Sequence, residues 1–302
     1  MSHQADSVKS IIYALTANLA IAVAKLVGAV ITRSGSMLAE AIHSFADCAN
    51  QGLLLWGLKA AKRPPTSDHP LGYGKAIYFW SFIVALMLFS VGGMFSIYEG
   101  WHKLHSTEPL SWPWVAIGIL TFSIIAEALS LAGCLKEINK ARGRRSLWRW
   151  ARESRQSELI VVLGEDVAAL FGLVFALIAI VLTLLTGNPV YDALGSIMIG
   201  VLLIAVAVFI GVEIKGLLIG QSIEDREQED IRQWLKARGE IKQVLNLISL
   251  QLGNRCMLAI KAEMAEFTDQ HAMIRAINTV EAELRQAFPQ VQWLFFEPDD
   301  RH

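Results

Sequence analysis

The chain has 302 residues, 54% of them hydrophobic and only 18% charged, with a formal net charge of −1. An average soluble domain carries charge on about a quarter of its residues, and a mean hydropathy of +0.42 excludes that class in favour of a membrane protein. Three cysteines, Cys48, Cys134 and Cys256, are too few and too scattered for a disulfide framework and suggest no redox chemistry.

Six apolar segments follow one another, at about 8–31, 37–58, 76–98, 114–135, 158–185 and 192–218. Each is long enough to cross ~30 Å of hydrocarbon at ~1.5 Å per residue of helix. Continuous apolar runs lack the alternation of barrel strands, and lipid tolerates only helices or closed barrels, so the sequence predicts a membrane all-α six-helix bundle. No removable targeting peptide is expected, because the first segment is itself long enough to span and no small-residue cleavage site precedes it. The loops after the second and fourth segments hold Lys59, Lys62, Arg63, Lys75 and a run from Lys136 to Arg155, whereas the opposite side holds Arg33 and Lys103. The positive-inside rule then puts both termini in the cytoplasm of a multi-pass integral membrane protein, and a bacterial inner membrane is the expected location. The basic fourth loop reads as a topology anchor rather than a nucleic-acid or lipid patch, and no nucleic-acid partner is expected.

The tail changes character. Residues 222–302 carry 14 acids and 10 bases, against 14 and 17 on residues 1–221, which separates a transmembrane domain (1–221) from a soluble one (222–302). In the tail, 225–238 has helical spacing, "KQVLNLISLQL" and "CMLAIKAEM" alternate like strands, a helix follows with Asp269 near its start, and "VQWLFFE" closes as a strand. That order predicts a small α+β domain of αββαβ type, with helices on one face of a three-stranded sheet.

Ionisable groups inside the apolar segments cost ~2.5–3.5 kcal/mol each on insertion scales and mark function by default. His43 and Asp47 are four apart on the second segment and share a helix face, suited to one borderline divalent ion. Glu165 and Asp166 lie ~13 Å into the fifth segment, at matching depth. Glu127 on the fourth segment and Glu40 on the second carry the same feature, with capping, a hydrogen-bond network or snorkelling as the competing reading. Gly28, Gly52, Gly92, Gly93, Gly195 and Gly200, among other small residues, read as close-packing surfaces between helices.

The stretches "SGSMLAEAIHSFADCANQGLLLWG" (34–57), "DHPLGYGKAIYFW" (68–80), "GEDVAALFG" (164–172) and "GNPVYDALGSIMIGVLL" (187–203), together with the αββαβ tail, resemble the cation diffusion facilitator family, and within it the zinc transporter nine branch. The resemblance implies a homodimeric exchanger that moves Zn²⁺ or a similar ion out of the cytoplasm against protons, through a tetrahedral site on the second and fifth segments. It assigns His43, Asp47 and Asp166 to that site. The fourth family position falls on Val162, which cannot ligate. Glu165 is favoured in its place; Glu127, the side-chain carbonyl of Asn50, and a water are the alternatives. A second family site in the loop of Asp68, His69 and Tyr73, where Tyr73 stands for a His, is not expected to bind tightly. The tail is expected to dimerise by packing rather than by metal bridging.

The function expected is therefore Zn²⁺/H⁺ antiport, with no prosthetic group and no enzymatic activity. Metal entry and protonation compete for the same carboxylates and imidazole, which couples the two loads. A carboxylate-rich set would shift the preference toward Mn²⁺, Fe²⁺ or Co²⁺, and a non-transporting metal sensor or scaffold is the other alternative. An intramembrane metallohydrolase lacks its usual pair of histidines four apart with a following Glu.

Overall fold

Four helices or helical runs in the computed structural model are long and apolar enough to cross a membrane, namely Ala76–Leu104, Pro113–Arg142, Ser157–Thr186 and Val190–Ile219. The structure describes residues 2–105 and 112–300; the chain ends, whose side of the membrane the loop charges predict, lie outside the described residues. The helix α1 (Ser2–Thr32) contributes the shorter apolar stretch Asn18–Thr32, and α2 (Gly35–Ala61) has the length but carries Glu40, His43, Asp47, Asn50 and Gln51, which lower its apolarity. The first run divides into α3 (Ala76–Met87), a π-helical stretch Leu88–Met94, and α4 (Phe95–Leu104). Then come α5 (Pro113–Arg142), a short α6 (Leu147–Glu153) not foreseen in the sequence, α7 (Ser157–Thr186) and α8 (Val190–Ile219).

These helices turn apolar side chains outward and polar ones inward. Leu129 is 71% exposed, while Lys25, Glu40, His43 and Asn50 are at 0%. That inversion is what a chain solvated by lipid requires, because exposed carbon costs nothing there and exposed charge costs much.

Local chemistry fixes the helix ends. Arg33 adopts φ 54 after α1, and Pro189 together with a cap from Asn188 Oδ1 to the Val190 N–H (3.0 Å) opens α8. Asp192, one turn into α8, caps α2 from across the bundle. Its carboxylate accepts from Ser34 Oγ (2.7 Å), Ser36 Oγ (2.5 Å) and the Gly35 N–H (2.7 Å), and Lys103 Nζ stands 3.7 Å away. The first N–H groups of a buried helix have no internal partner, and here a neighbouring acid supplies it.

Glycines set the closest helix approaches. A Cβ on Gly93 would meet Gly200 O at 3.1 Å, one on Gly200 would meet Gly93 O at 2.6 Å, and one on Gly100 would meet Ala193 O at 2.7 Å. Two contacts seven residues apart on each partner thus bring backbone against backbone. Gly28 and Gly195 are also tightly flanked, but Gly52 faces open space, contrary to its expected packing role.

The chain divides into two compact units. One comprises Met1–Trp56, Trp80–Leu147 and Glu158–Glu213; the other gathers Gly57–Phe79, Trp148–Ser157 and the chain from Ile214. The second unit holds α9 (Asp225–Lys236), β1 (Ile241–Leu252), β2 (Arg255–Met264), α10 (Gln270–Ala287) and β3 (Val291–Pro298), in the αββαβ order expected. The strands lie in the order β1-β2-β3, with β1 and β2 antiparallel and β2 and β3 parallel. Asp269 Oδ1 caps α10 by accepting from the Ala272 N–H at 2.7 Å. Alternate residues of β2, Cys256, Leu258, Ile260 and Ala262, form a core with Ile231, Leu235, Val280 and Leu284 of the helices. The opposite face carries the cross-strand row Ile248, Ala259 and Phe295, with Ile248 55% and Phe295 57% exposed. The β1–β2 turn takes φ 68 at Gly253, whose N–H donates to Tyr78 Oη at 3.0 Å.

Candidate metal centre

The polar residues of α2 lie on adjoining stripes. Glu40, Ser44, Asp47 and Gln51 follow one another at steps of four, three and four, and His43, Asp47 and Asn50 at four and three. On α7, Val162, Glu165, Asp166, Ala169 and Gly172 share a face in the same way. The two faces meet. Asn50 Nδ2 donates to Glu165 Oε1 at 2.6 Å, and at the other end of the contact Glu40 Oε1 presses against Gly172, where any Cβ would collide with it.

Between these helices and α5 lies a cavity of about 20 Å³, lined by Asp47, Glu127, Glu165 and Asp166 with Asn18, Ser44 and Gln51. A space of that size holds one water-sized body. Val162 and Ala169 complete the lining, so the position that the family resemblance assigns to a fourth ligand does border the cavity, as a hydrocarbon surface. Among the described residues, buried side-chain atoms without a hydrogen-bond partner include one oxygen each of Asp47, Gln51 and Asp166 on the cavity wall, and, off the wall on α2, both ring nitrogens of His43 and one oxygen each of Glu40 and Asn50. Buried polar atoms are normally satisfied, and an unmet one costs ~1–3 kcal/mol.

Asp47, Glu165, Asp166 and Glu127 line the cavity, and Asn50 stands behind Glu165 as its donor. His43 is fully buried but is not on the cavity wall. Its Nδ1 lies 3.5 Å from Asp47 Oδ1, and its ring faces the π-helical stretch, where a Cβ on Gly92 would be 4.0 Å from Nδ1. Among the described residues no three His, Cys, Asp or Glu side chains converge closely enough to share one ion; the acids stand around the space rather than on one point.

Lys25 is not among the site residues expected from the sequence. It is fully buried on α1, donates to Ser44 Oγ at 2.7 Å, and pairs with Glu40 Oε2 at 3.3 Å. The signal was present, a lone cation in the centre of "LAIAVAKLVGAVI" (19–31), and the expense argument applied to the acids applies equally to it. Glu40 is accordingly an ion-paired interior group and not a snorkelling one.

Residues 11–219 match the model of the cation efflux transmembrane domain. The proton-coupled zinc antiporter SLC30A9, mitochondrial, of Xenopus laevis is 35% identical over 231 residues, 76% of this chain and 41% of that protein. The protein of the same name in Homo sapiens is 32% identical over 232 residues with the same shares, and metal tolerance protein C4 of Arabidopsis thaliana is 33% identical over 204 residues, 66% of this chain and 44% of its own. The chain spans less than half the length of these relatives.

Proposed function

Since the chain belongs to the cation diffusion facilitator family, we propose that it is a transporter and not an enzyme, and that it exchanges Zn²⁺ for protons through the cavity between α2 and α7. The observation that carries this reading is the gathering of acids from two helices about a space for one small ion, Asp47 on one and Glu165 with Asp166 on the other, with an oxygen of Asp47 and one of Asp166 buried and unsatisfied. The names of the relatives in Xenopus and human, proton-coupled zinc antiporters, support the choice of ion and counter-ion.

The chemistry follows from charge. Asp47, Glu165 and Asp166 are held where bare carboxylates are disfavoured, so the site is filled either by a divalent cation or by protons. His43, in touch with Asp47, adds an imidazole that takes a proton when the ion leaves. Glu165 serves as the fourth ligand in place of Val162, oriented by Asn50 as a ligating carboxylate is oriented by its outer partner. The bundle has six spans, α1 and α2 included, in a transport unit of residues 1–221. Both termini lie in the cytoplasm of a bacterial inner membrane, lipid covers the apolar exterior, and residues 222–302 dimerise through the open sheet face of Ile248 and Phe295. The basic loops anchor this orientation and take no nucleic acid.

A second reading has its own observation. Four carboxylates line the cavity while His43 stands off its wall, and an oxygen-rich set favours Mn²⁺ or Fe²⁺ over Zn²⁺. The deciding experiment is uptake into proteoliposomes under an imposed pH gradient, with Zn²⁺, Mn²⁺, Fe²⁺ and Co²⁺ in parallel. Zn²⁺ uptake driven by the gradient and abolished by Asp47→Ala or Asp166→Ala is expected. Full activity in either variant refutes the site, and metal binding without flux leaves a sensor or scaffold.

A further inference from the structure

The Lys25 ammonium has no part in the exchange just described, yet it lies at the edge of the cavity. Ser44, which accepts its hydrogen bond, is itself a lining residue, and Asn18, two turns away on the same face of α1, is another. Its partner Glu40 has one oxygen on Lys25 and the other unsatisfied against Gly172 of α7. Glu40 is one turn from Ser44 and two turns from Asp47, on the stripe that faces the cavity. Without Lys25 it would be a further carboxylate, fully buried and uncompensated, beside the acids already there.

We propose that Lys25 is a specificity-determining residue of the ion site: a cation built into α1 that occupies Glu40, keeps it out of the ligand set, and leaves the transported ion to His43, Asp47, Glu165 and Asp166. This rests on the cavity being the ion site. A buried ion pair is a poor device for stability, because desolvating two charges offsets most of their attraction, so its retention here needs another account. Neutralising Glu40 supplies one. It lowers the negative charge around the ion enough for release and caps the number of hard oxygen donors, which holds selectivity away from Mn²⁺ and Mg²⁺.

The test is equilibrium binding of Zn²⁺ and Mn²⁺ to the detergent-solubilised full chain, alongside flux in proteoliposomes. Lys25→Met frees Glu40 and is expected to tighten Zn²⁺ binding by at least about ten-fold, since a unit charge acts strongly over one or two helical turns inside a protein. It should also raise the Mn²⁺/Zn²⁺ affinity ratio and slow the maximal flux. Glu40→Gln leaves Lys25 unbalanced and should shift Zn²⁺ affinity the opposite way. Lys25→Met with Glu40→Gln should return affinity and ratio close to the parent values. Should Lys25→Met fail to fold, Glu40→Gln and the double variant still decide. Unaltered affinity in folded Lys25→Met or in Glu40→Gln, or a double variant that matches Lys25→Met alone, overturns the proposal. A parent protein that binds no Zn²⁺ and transports none overturns the functional reading instead.

Discussion

Asn50 Nδ2 donates to Glu165 Oε1 at 2.6 Å, a hydrogen bond between α2 and α7 with both side chains buried. Removing one partner of a buried hydrogen bond leaves the other unsatisfied, at a cost of ~1–3 kcal/mol. Asn50→Ala is expected to destabilise the bundle by about 2 kcal/mol, seen as a lower midpoint of thermal unfolding in detergent. It should also weaken Zn²⁺ binding, because Glu165 loses the donor that orients it. An unchanged midpoint would show that Glu165 finds another partner.

Gly172 and Gly52 make a matched pair of tests on opposing helices. A Cβ at Gly172 enters the space of the Glu40 carboxylate, whereas one at Gly52 meets nothing. Gly172→Ala should cost about 1–3 kcal/mol as overpacking and impair flux by displacing the Lys25–Glu40 pair. Gly52→Ala should be neutral or stabilising by up to about 1 kcal/mol. Equal behaviour in thermal unfolding would contradict the close approach at Gly172.

Cys256 offers a pH dependence in the soluble unit. Burial in the β2 core pushes its thiol up to about 12 from an ordinary 9.0. The folded state therefore holds the proton where the unfolded state releases it. The stability contribution is complete below the ordinary thiol value and is lost as pH rises from there toward the folded value. The measurement is peptide-level alkylation of the full chain at mildly alkaline pH, which should label Cys256 only once denaturant is added. Rapid labelling of the native chain would show that the strand opens locally.

Phe295, with Ile248 two strands away in the same row and Ala259 between them, is the anchor expected if the tail dimerises as proposed. Phe295→Glu should shift the chain from dimer to monomer at fixed concentration, since losing a central aromatic costs at least about 2 kcal/mol. Mass measurement in detergent checks this, and a dimer that persists places the interface elsewhere.

The membrane acids were legible because apolar neighbours make each charge conspicuous, and residues four apart advertise a shared face. Lys25 was as visible on the same grounds, but its meaning lies in Glu40 and Ser44, fifteen and nineteen positions away. The role of Gly172 was hidden for a like reason, since only the α2–α7 contact says what it makes room for. The π-helical stretch Leu88–Met94 holds no proline to announce it. In the tail, alternation and the Asp269 cap identified every element, whereas the order of strands depends on which edges meet and leaves no local trace.

Where Gly93 meets Gly200 and Gly100 meets Ala193, main chain lies on main chain, flanked by the β-branched side chains of Ile97, Ile197 and Ile204. Such a seam has few rotamers to rearrange, because β-branched side chains hold one χ1 in a helix, so α4, the π-helical stretch and α8 are expected to behave as one stiff plank. Any rocking of the bundle is expected to divide along the other boundary, where α2 meets α7 through the long polar side chains of Glu40, Asn50 and Glu165, which can slide, swap partners and re-form.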